Sequence, residues 1–151
     1  MSRTVLVVAL AVALCVVGAA PAAAEWRAPV KVHTIGSITG NTVAGTFTSR
    51  IGRITDSGEY TETVTIVGDK VTAVKFFTGR RGTFEMPMYS WLVFQTPTAV
   101  TFRDGEWWFR NGTGEYEGLE GGGQPNVAKG GADLAAGTVD VIHRGTARHH
   151  R

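Results

Sequence analysis

The sequence predicts an all-β protein that folds as a single antiparallel β-barrel behind a signal peptide. After residue 25 the chain consists of short runs rich in Val, Ile, Thr and aromatic residues, separated by turns that contain glycine, and no segment has the 3.6-residue apolar period of an amphipathic helix. Glycine also occurs within the strand-like runs, where residues without a Cβ permit the sharp corners of a small barrel. Closure removes free sheet edges, which favours a barrel over a sandwich.

The N-terminal segment has the three parts of a signal peptide. Arg3 supplies a positive charge, residues 5–17 form an almost wholly apolar run, and Ala22-Ala23-Ala24 before Glu25 is the small-residue pattern that signal peptidase cleaves. The apolar run is shorter than the roughly 20 residues of a membrane-spanning helix. We therefore expect residues 1–24 to be removed and the mature protein to be secreted or periplasmic. An uncleaved anchor is the alternative.

The mature chain, residues 25–151, contains no cysteine, because Cys15 lies in the apolar run of the signal peptide. It holds 14 of the 15 Lys and Arg residues and all 13 Asp and Glu residues, which leaves a net charge of +1 with His neutral. This balance disfavours nucleic acid as a partner, since nucleic-acid binding needs a basic patch. Without cysteine or an H-x-x-x-H spacing, we predict neither a metal site nor a cofactor.

Ten strand-like runs divide the mature chain, and a flexible basic tail is expected from about residue 146. The dipeptides Gly68-Asp69 and Asp104-Gly105 each separate two runs and predict tight hairpin turns, because such turns require positive φ angles. A flexible glycine loop is predicted at residues 121–131. The predicted strands are residues 30–35, 42–51, 59–67, 70–77, 82–86, 91–95, 98–103, 106–110, 114–119 and 137–145.

Glu62 is the main candidate for a catalytic residue. In the third predicted strand, alternation places Glu62 on the same face as Tyr60 and Val64, and this apolar face should point into the barrel. Burial disfavours the charged form of a carboxyl group, which suits a general acid or a ligand anchor. Two alternatives stay open: Glu62 lies in water at the barrel mouth, or it pairs with an inward-pointing arginine such as Arg50 or Arg103.

Aromatic side chains are the candidates for the lining of an internal cavity. They concentrate in the second half of the mature chain, where Trp107 and Trp108 are adjacent and must therefore point to opposite faces of a strand. One of the two then lies outside the barrel, where it could join subunits of a homo-oligomer. The residues predicted to line the cavity are Phe47, Tyr60, Trp91, Phe102 and Trp107.

The segment Gly112-Thr113-Gly114-Glu115-Tyr116-Glu117-Gly118 resembles a motif of the allene oxide cyclase and dirigent β-barrel family, which includes small secreted bacterial proteins. Residues 137–141 and 143–147 resemble the closing strand of that family, and the resemblance covers roughly residues 38–147. It implies an eight-stranded, calycin-like antiparallel barrel, often with an inner cavity for small apolar molecules. The carboxylate and the amide-held water of the cyclases do not align onto this chain, so their activity is not carried over.

Three functions follow from these features. The first is a secreted barrel that binds a small apolar ligand or acts as an extracellular interaction module, with no membrane contact once the signal peptide is removed. The second, implied by the resemblance, is an enzyme of the allene oxide cyclase or dirigent type that cyclises an apolar substrate or guides its stereochemistry, with Glu62 as acid or anchor. The third is an inhibitor or surface-interaction protein that uses the glycine loop at residues 121–131.

Overall fold

Nine antiparallel strands make up most of the computed structural model, which describes residues 27–124 and 129–149 and, of Lys129, only the backbone. The predicted signal peptide, residues 1–24, lies outside the described residues. Among the residues described, no helix has the length and apolar character needed to cross a membrane. The strands are β1 (Ala28–Thr39), β2 (Thr42–Ile51), β3 (Ile54–Val67), β4 (Lys70–Gly79), β5 (Thr83–Phe94), β6 (Ala99–Trp108), β7 (Leu119–Gly123), β8 (Lys129–Asp133) and β9 (Thr138–His149).

The sheet closes on itself, because β1 pairs with β2 on one side and with β9 on the other. Strands β1 to β6 are joined in sequence order by antiparallel pairing. β7 and β8 share one position in the wall: both lie between β6 and β9, with β7 beside Trp107 and Trp108 and β8 beside Ala99 and Val100. The wall therefore has eight strand positions, which confirms the predicted all-β, eight-stranded antiparallel barrel.

Alternation along each strand separates the interior from the surface. In β4 the inward-facing side chains Val71, Ala73, Lys75 and Phe77 are buried, whereas their neighbours along the strand are exposed or partly exposed. Trp107 is buried and Trp108 is 42% exposed, so the two tryptophans point to opposite faces as predicted. The interior is thus built from every second residue of the strands.

The two dipeptides that predict hairpins have different outcomes. Gly68, with a φ of +64°, lies in the turn between β3 and β4, which confirms the first hairpin. The second is wrong: Asp104 and Gly105, with φ of +52° and +95°, lie within β6 and form a β-bulge opposite Ser90 of β5. The hydroxyl oxygen of Ser90 lies 2.9 Å from the carbonyl oxygen of Arg103 and 3.0 Å from that of Asp104, and so binds the bulged backbone.

The bulge decides which side chains of β6 face inward. Phe102 and Trp107 are five positions apart, so regular alternation would place them on opposite faces. The extra residue in the bulge restores both to the interior, where Phe102 packs against the core and Trp107 is 1% exposed. A Cβ on Gly105 would lie 2.1 Å from the carbonyl oxygen of Tyr89, so the close approach of β5 requires glycine there.

Several predicted boundaries differ from the structure. The separate strands predicted at 82–86 and 91–95 are both part of β5, and those at 98–103 and 106–110 fall largely in β6. In the strand predicted at 114–119, Gly114–Tyr116 is a 3₁₀ turn. Of the glycine loop predicted at 121–131, residues 121–123 belong to β7 and residues 129–131 to β8. Residues 125–128 lie outside the described residues. The predicted flexible tail is wrong up to residue 149, because β9 continues to His149 and pairs there with β7.

One half of the barrel interior is filled by seven aromatic side chains, here called the aromatic cluster. Phe77 and Phe84 stack with ring centroids 4.4 Å apart, and Phe47 meets Phe77 edge-on at 5.0 Å. Tyr116, carried by the 3₁₀ turn, lies 4.7 Å from Phe84 and is fully buried, so this turn closes its end of the barrel. The cluster consists of Phe47, Tyr60, Phe77, Phe84, Trp107, Phe109 and Tyr116.

The carboxylate of Asp56 binds several of the loops at the closed end. It accepts hydrogen bonds from the backbone N–H groups of Ser57 at 2.8 Å and of Arg80 and Arg81 at 3.1 Å, and from the Tyr116 hydroxyl at 2.9 Å. Partial burial acts to raise the pKa of Asp56, but these donors outweigh it and hold the pKa below its usual value. Asp56 therefore joins β3, the β4–β5 connection and the 3₁₀ turn.

We expect Asp56→Asn to lower the free energy of unfolding by about 2 kcal/mol, because it removes the charge from four hydrogen bonds and turns one acceptor into a donor. Urea unfolding at neutral pH measures the loss. Asp69→Asn is the matched control: Asp69 lies in the β3–β4 turn at the opposite end, is exposed, and should change stability by less than about 0.5 kcal/mol. Equal effects of the two changes would contradict the role given to Asp56.

Candidate functional site

The other half of the barrel interior is a cavity of about 460 Å³. It lies toward the end of the barrel that carries the β1–β2 and β3–β4 turns. Its walls are mainly aliphatic side chains, with one phenylalanine from β6 and another from β5. Residues from eight of the nine strands reach it, and representative wall residues are Val43, Val64, Met88, Phe102, Val139 and Val141.

Exposed apolar side chains surround the mouth of this cavity. Ile66 is 55% exposed, Phe94 58% and Leu134 49%, and all three also line the cavity. They come from the end of β3, the end of β5 and the β8–β9 connection. The apolar lining is therefore continuous with the surface of the protein.

Three titratable side chains, Glu62, Lys75 and His143, also line the cavity, and we call them the polar layer. Glu62 and Lys75 are direct partners in the register of β3 and β4, so both side chains point inward at the same level of the wall. The Lys75 Nζ and Glu62 Oε2 atoms form an ion pair, with side-chain exposures of 3% and 7%. Two opposite charges are thus paired out of contact with bulk water.

His143 is fully buried at the inward face of β9. Neither of its ring nitrogens has a hydrogen-bond partner among the residues that the structure describes. Burial, and next the positive charge of Lys75, lower the pKa of His143 well below its usual value. The ring is therefore neutral at physiological pH, with one nitrogen as donor and the other as acceptor.

The polar layer lies between the aromatic cluster and the apolar cavity. From Glu62 and Lys75, the next inward residues toward the closed end are Tyr60 and Phe77, and the Lys75 Nζ atom is 5.7 Å from the Tyr60 ring centroid. Burial, and to a lesser extent Glu62, raise the pKa of Tyr60 to about 12. His143 meets the Trp107 ring edge-on, with centroids 6.2 Å apart. Aromatic rings thus form the floor beneath the polar layer.

This arrangement offers a ligand a neutral hydrogen-bonding ring beside a compensated ion pair, at the base of an apolar cavity. It does not offer a metal site: within residues 27–124 and 129–149, no three His, Cys, Asp or Glu side chains come close enough together to hold a metal ion.

The structure places Glu62 inside the barrel, as the alternation of β3 predicts. Its partner is Lys75, and neither Arg50 nor Arg103 reaches it. Both arginines are exposed, because they occupy outward positions of β2 and β6. The position of Glu62 was thus predictable from one strand, whereas its partner depended on the register between two strands.

Of the five aromatic residues predicted to line the cavity, only Phe102 lies among its lining residues. Phe47, Tyr60 and Trp107 belong to the aromatic cluster, where their rings pack on one another instead of facing open space. Trp91 lies outside the cavity and contacts Tyr89 edge-on, with the rings 5.8 Å apart.

Sequence reasoning missed Lys75 and His143, although the signal for both is present. Lys75 continues the inward series Val71 and Ala73 in β4, and His143 continues the inward series Val139 and Val141 in β9. A charged or polar residue in phase with apolar neighbours is the pattern that identified Glu62, and it would have identified these two residues as well.

No protein-family model, curated protein or solved structure matches this chain. The resemblance of residues 112–118 to the allene oxide cyclase and dirigent motif therefore stays a prediction.

The buried ion pair gives a test of the polar layer. We expect Glu62→Leu and Lys75→Met each to lower the free energy of unfolding by about 3 kcal/mol, because each leaves an uncompensated buried charge. The double variant should lie within about 1 kcal/mol of the original protein, since two apolar side chains replace the pair. Arg110→Gln is the control: its partner Glu85 is 2.6 Å away at the surface, and the expected loss is at most about 1 kcal/mol. Additive losses in the double variant would contradict the pairing.

His143 predicts a dependence of stability on pH. Below a pH of about 6.5 the unfolded chain protonates this histidine, whereas the folded protein does not, because its pKa is lowered. The unfolded state then binds more protons, so stability falls as pH decreases, by up to about 1.4 kcal/mol per pH unit from this residue. Urea unfolding at several pH values measures this slope. His143→Phe should reduce it by that amount and His149→Gln should retain it; a slope unchanged in His143→Phe would disprove the assignment.

Proposed function

We propose that this protein binds a small, predominantly apolar molecule inside the barrel. The size of the cavity supports this: about 460 Å³ falls in the range of roughly 300–1,000 Å³ that is usual for small-molecule sites. The composition of its lining supports it too, because such sites combine mainly apolar walls with a few polar groups. The polar layer supplies those groups at the base of the cavity.

The proposal rests mainly on a difference in packing between the two halves of the barrel interior. Protein interiors are normally packed as densely as organic crystals, and the aromatic cluster fills its half in that way. Open apolar space in the other half sacrifices packing contacts and therefore stability. Larger side chains at wall positions such as Val64 or Ala132 could fill the space, so its retention is best explained by a ligand.

The exposed rim of Ile66, Phe94 and Leu134 gives an apolar ligand a route into the cavity without contact with charged side chains. The N-terminal signal-like segment supports binding outside the cytoplasm, in a secreted or periplasmic setting. A homo-oligomeric contact through the outward-facing Trp108 stays a prediction.

A second candidate function is catalysis of the allene oxide cyclase or dirigent type. It is favoured by one observation: the neutral His143, whose ring nitrogens have no partner among the described residues, lines the same apolar cavity as Glu62 and Lys75 and could accept a proton. Cyclisation is an isomerisation, so substrate and product have the same mass. Native mass spectrometry and chromatography of molecules co-purifying with the original protein and with His143→Phe would separate the candidates. Isomers that differ between the two proteins support catalysis, and the same compound in both supports binding alone.

We expect the neutral fluorescent dye N-phenylnaphthylamine to bind the protein with a rise in fluorescence. Val64→Trp should weaken this binding at least about tenfold, because the indole ring would occupy the cavity. Thr61→Trp is the matched control, since it adds the same ring to an outward, exposed position of the same strand and should leave binding unchanged. Unfolding curves establish that both variants fold. Equal dye binding by the two variants would place the ligand site elsewhere.

A further inference from the structure

We propose that the cavity selects apolar molecules that carry one uncharged polar group, a hydroxyl or a ketone, and that this group binds at the bottom of the cavity against His143. The inference rests on the proposed binding function and names the chemistry of the ligand. Three features of the cavity support this inference. The charges of Glu62 and Lys75 balance each other, the ring nitrogens of His143 have no described hydrogen-bond partner, and His143 lies at the bottom of the cavity.

The charges of the polar layer are already balanced. Glu62, Lys75 and His143 are the titratable residues among those that line the cavity in the described part of the chain, and Glu62 and Lys75 form an ion pair. An entering carboxylate would share Lys75 with Glu62, and an entering ammonium would share Glu62 with Lys75. Either ligand adds an uncompensated charge between apolar walls, which is strongly unfavourable.

Among the described residues, Tyr60, Trp107 and His143 have buried side-chain polar atoms without a hydrogen-bond partner, and of these three only His143 lines the cavity. Both ring nitrogens lie buried without a described protein partner, and leaving buried polar atoms unpaired is unfavourable. A neutral imidazole offers one N–H donor and one acceptor nitrogen. A hydroxyl group can both accept from the donor and donate to the acceptor, and a ketone oxygen can accept from the donor. Either group restores a hydrogen bond without introducing charge.

The position of His143 sets the orientation of the ligand. The ring contacts Trp107 of the aromatic cluster, whereas Val141 and Val139, the preceding inward residues of β9, line the cavity toward the mouth. A ligand whose polar group reaches His143 therefore places its apolar body against the aliphatic walls. Its far end then points to the rim of Ile66, Phe94 and Leu134.

The test uses ligands that share one apolar body and differ in the end group. Each ligand is titrated against the dye complex of the full mature protein at neutral pH, and displacement of N-phenylnaphthylamine gives its affinity. The ligands are octanol, methyl hexyl ketone, octane, octanoate and octylamine. We expect octanol and the ketone to bind at least about tenfold more tightly than octanoate, octylamine or octane. In His143→Phe, octanol should lose its advantage over octane, so that the ratio of their affinities falls to about one. The series with the unmodified protein stands as a test even if this variant does not fold.

The outcomes separate this inference from the proposed function. Tightest binding of octanoate would show that Lys75 recruits a carboxylate, and equal binding of all five ligands would show that the polar layer does not distinguish end groups. Either result overturns the inference and leaves ligand binding intact. Failure of the dye and of every ligand to bind overturns the proposed function itself. Retained octanol preference in a folded His143→Phe protein would place the polar contact at another residue.

Discussion

The pairing of β1 with β9, which extends from Ala28 opposite Ala147 to Ser37 opposite Thr138, imposes closure on the whole chain. Once the sheet is closed, every second side chain faces an interior that communicates with water only at its ends. A polar side chain in such a position must find its partner within the barrel. Glu62 and Lys75 meet this requirement because the register of β3 and β4 brings them opposite each other. The chemistry of the site thus follows from closure combined with register.

The two ends of the closed interior differ in how they are covered. At one end the Asp56 carboxylate binds three backbone N–H groups and the Tyr116 hydroxyl, which fixes the 3₁₀ turn as a cap over the aromatic cluster. At the other end the connections are turns of two to four residues, and no comparable cap covers the cavity within the described residues. The closely packed aromatic end forms the floor of the polar layer, and the open end leaves the cavity accessible.

The sequence patterns predicted features that depend on one strand alone, and they missed features that depend on the pairing between neighbouring strands. Alternation and glycine content predicted the barrel, the inward position of Glu62 and the opposite orientations of Trp107 and Trp108. The same dipeptide chemistry that suits a hairpin also suits a bulge, so Asp104-Gly105 could not be assigned without knowing that Ser90 of β5 lies opposite. The pairing of Glu62 with Lys75, and the gathering of His143 beside them, depend on register and closure, which no single strand encodes.

The polar layer is more readily explained by recognition than by stability. A buried ion pair contributes little net stability, because two apolar side chains of similar volume usually serve as well or better. His143 reduces stability further, since its ring nitrogens are buried without a hydrogen-bond partner among the described residues. Both features lie at the base of the apolar cavity, while the aromatic cluster in the other half of the same interior contains no charged side chain. A fold selected for stability alone would place apolar residues at all three positions. Under the proposed function, a ligand that supplies the hydrogen bonds missing at His143 recovers part of the free energy lost on folding.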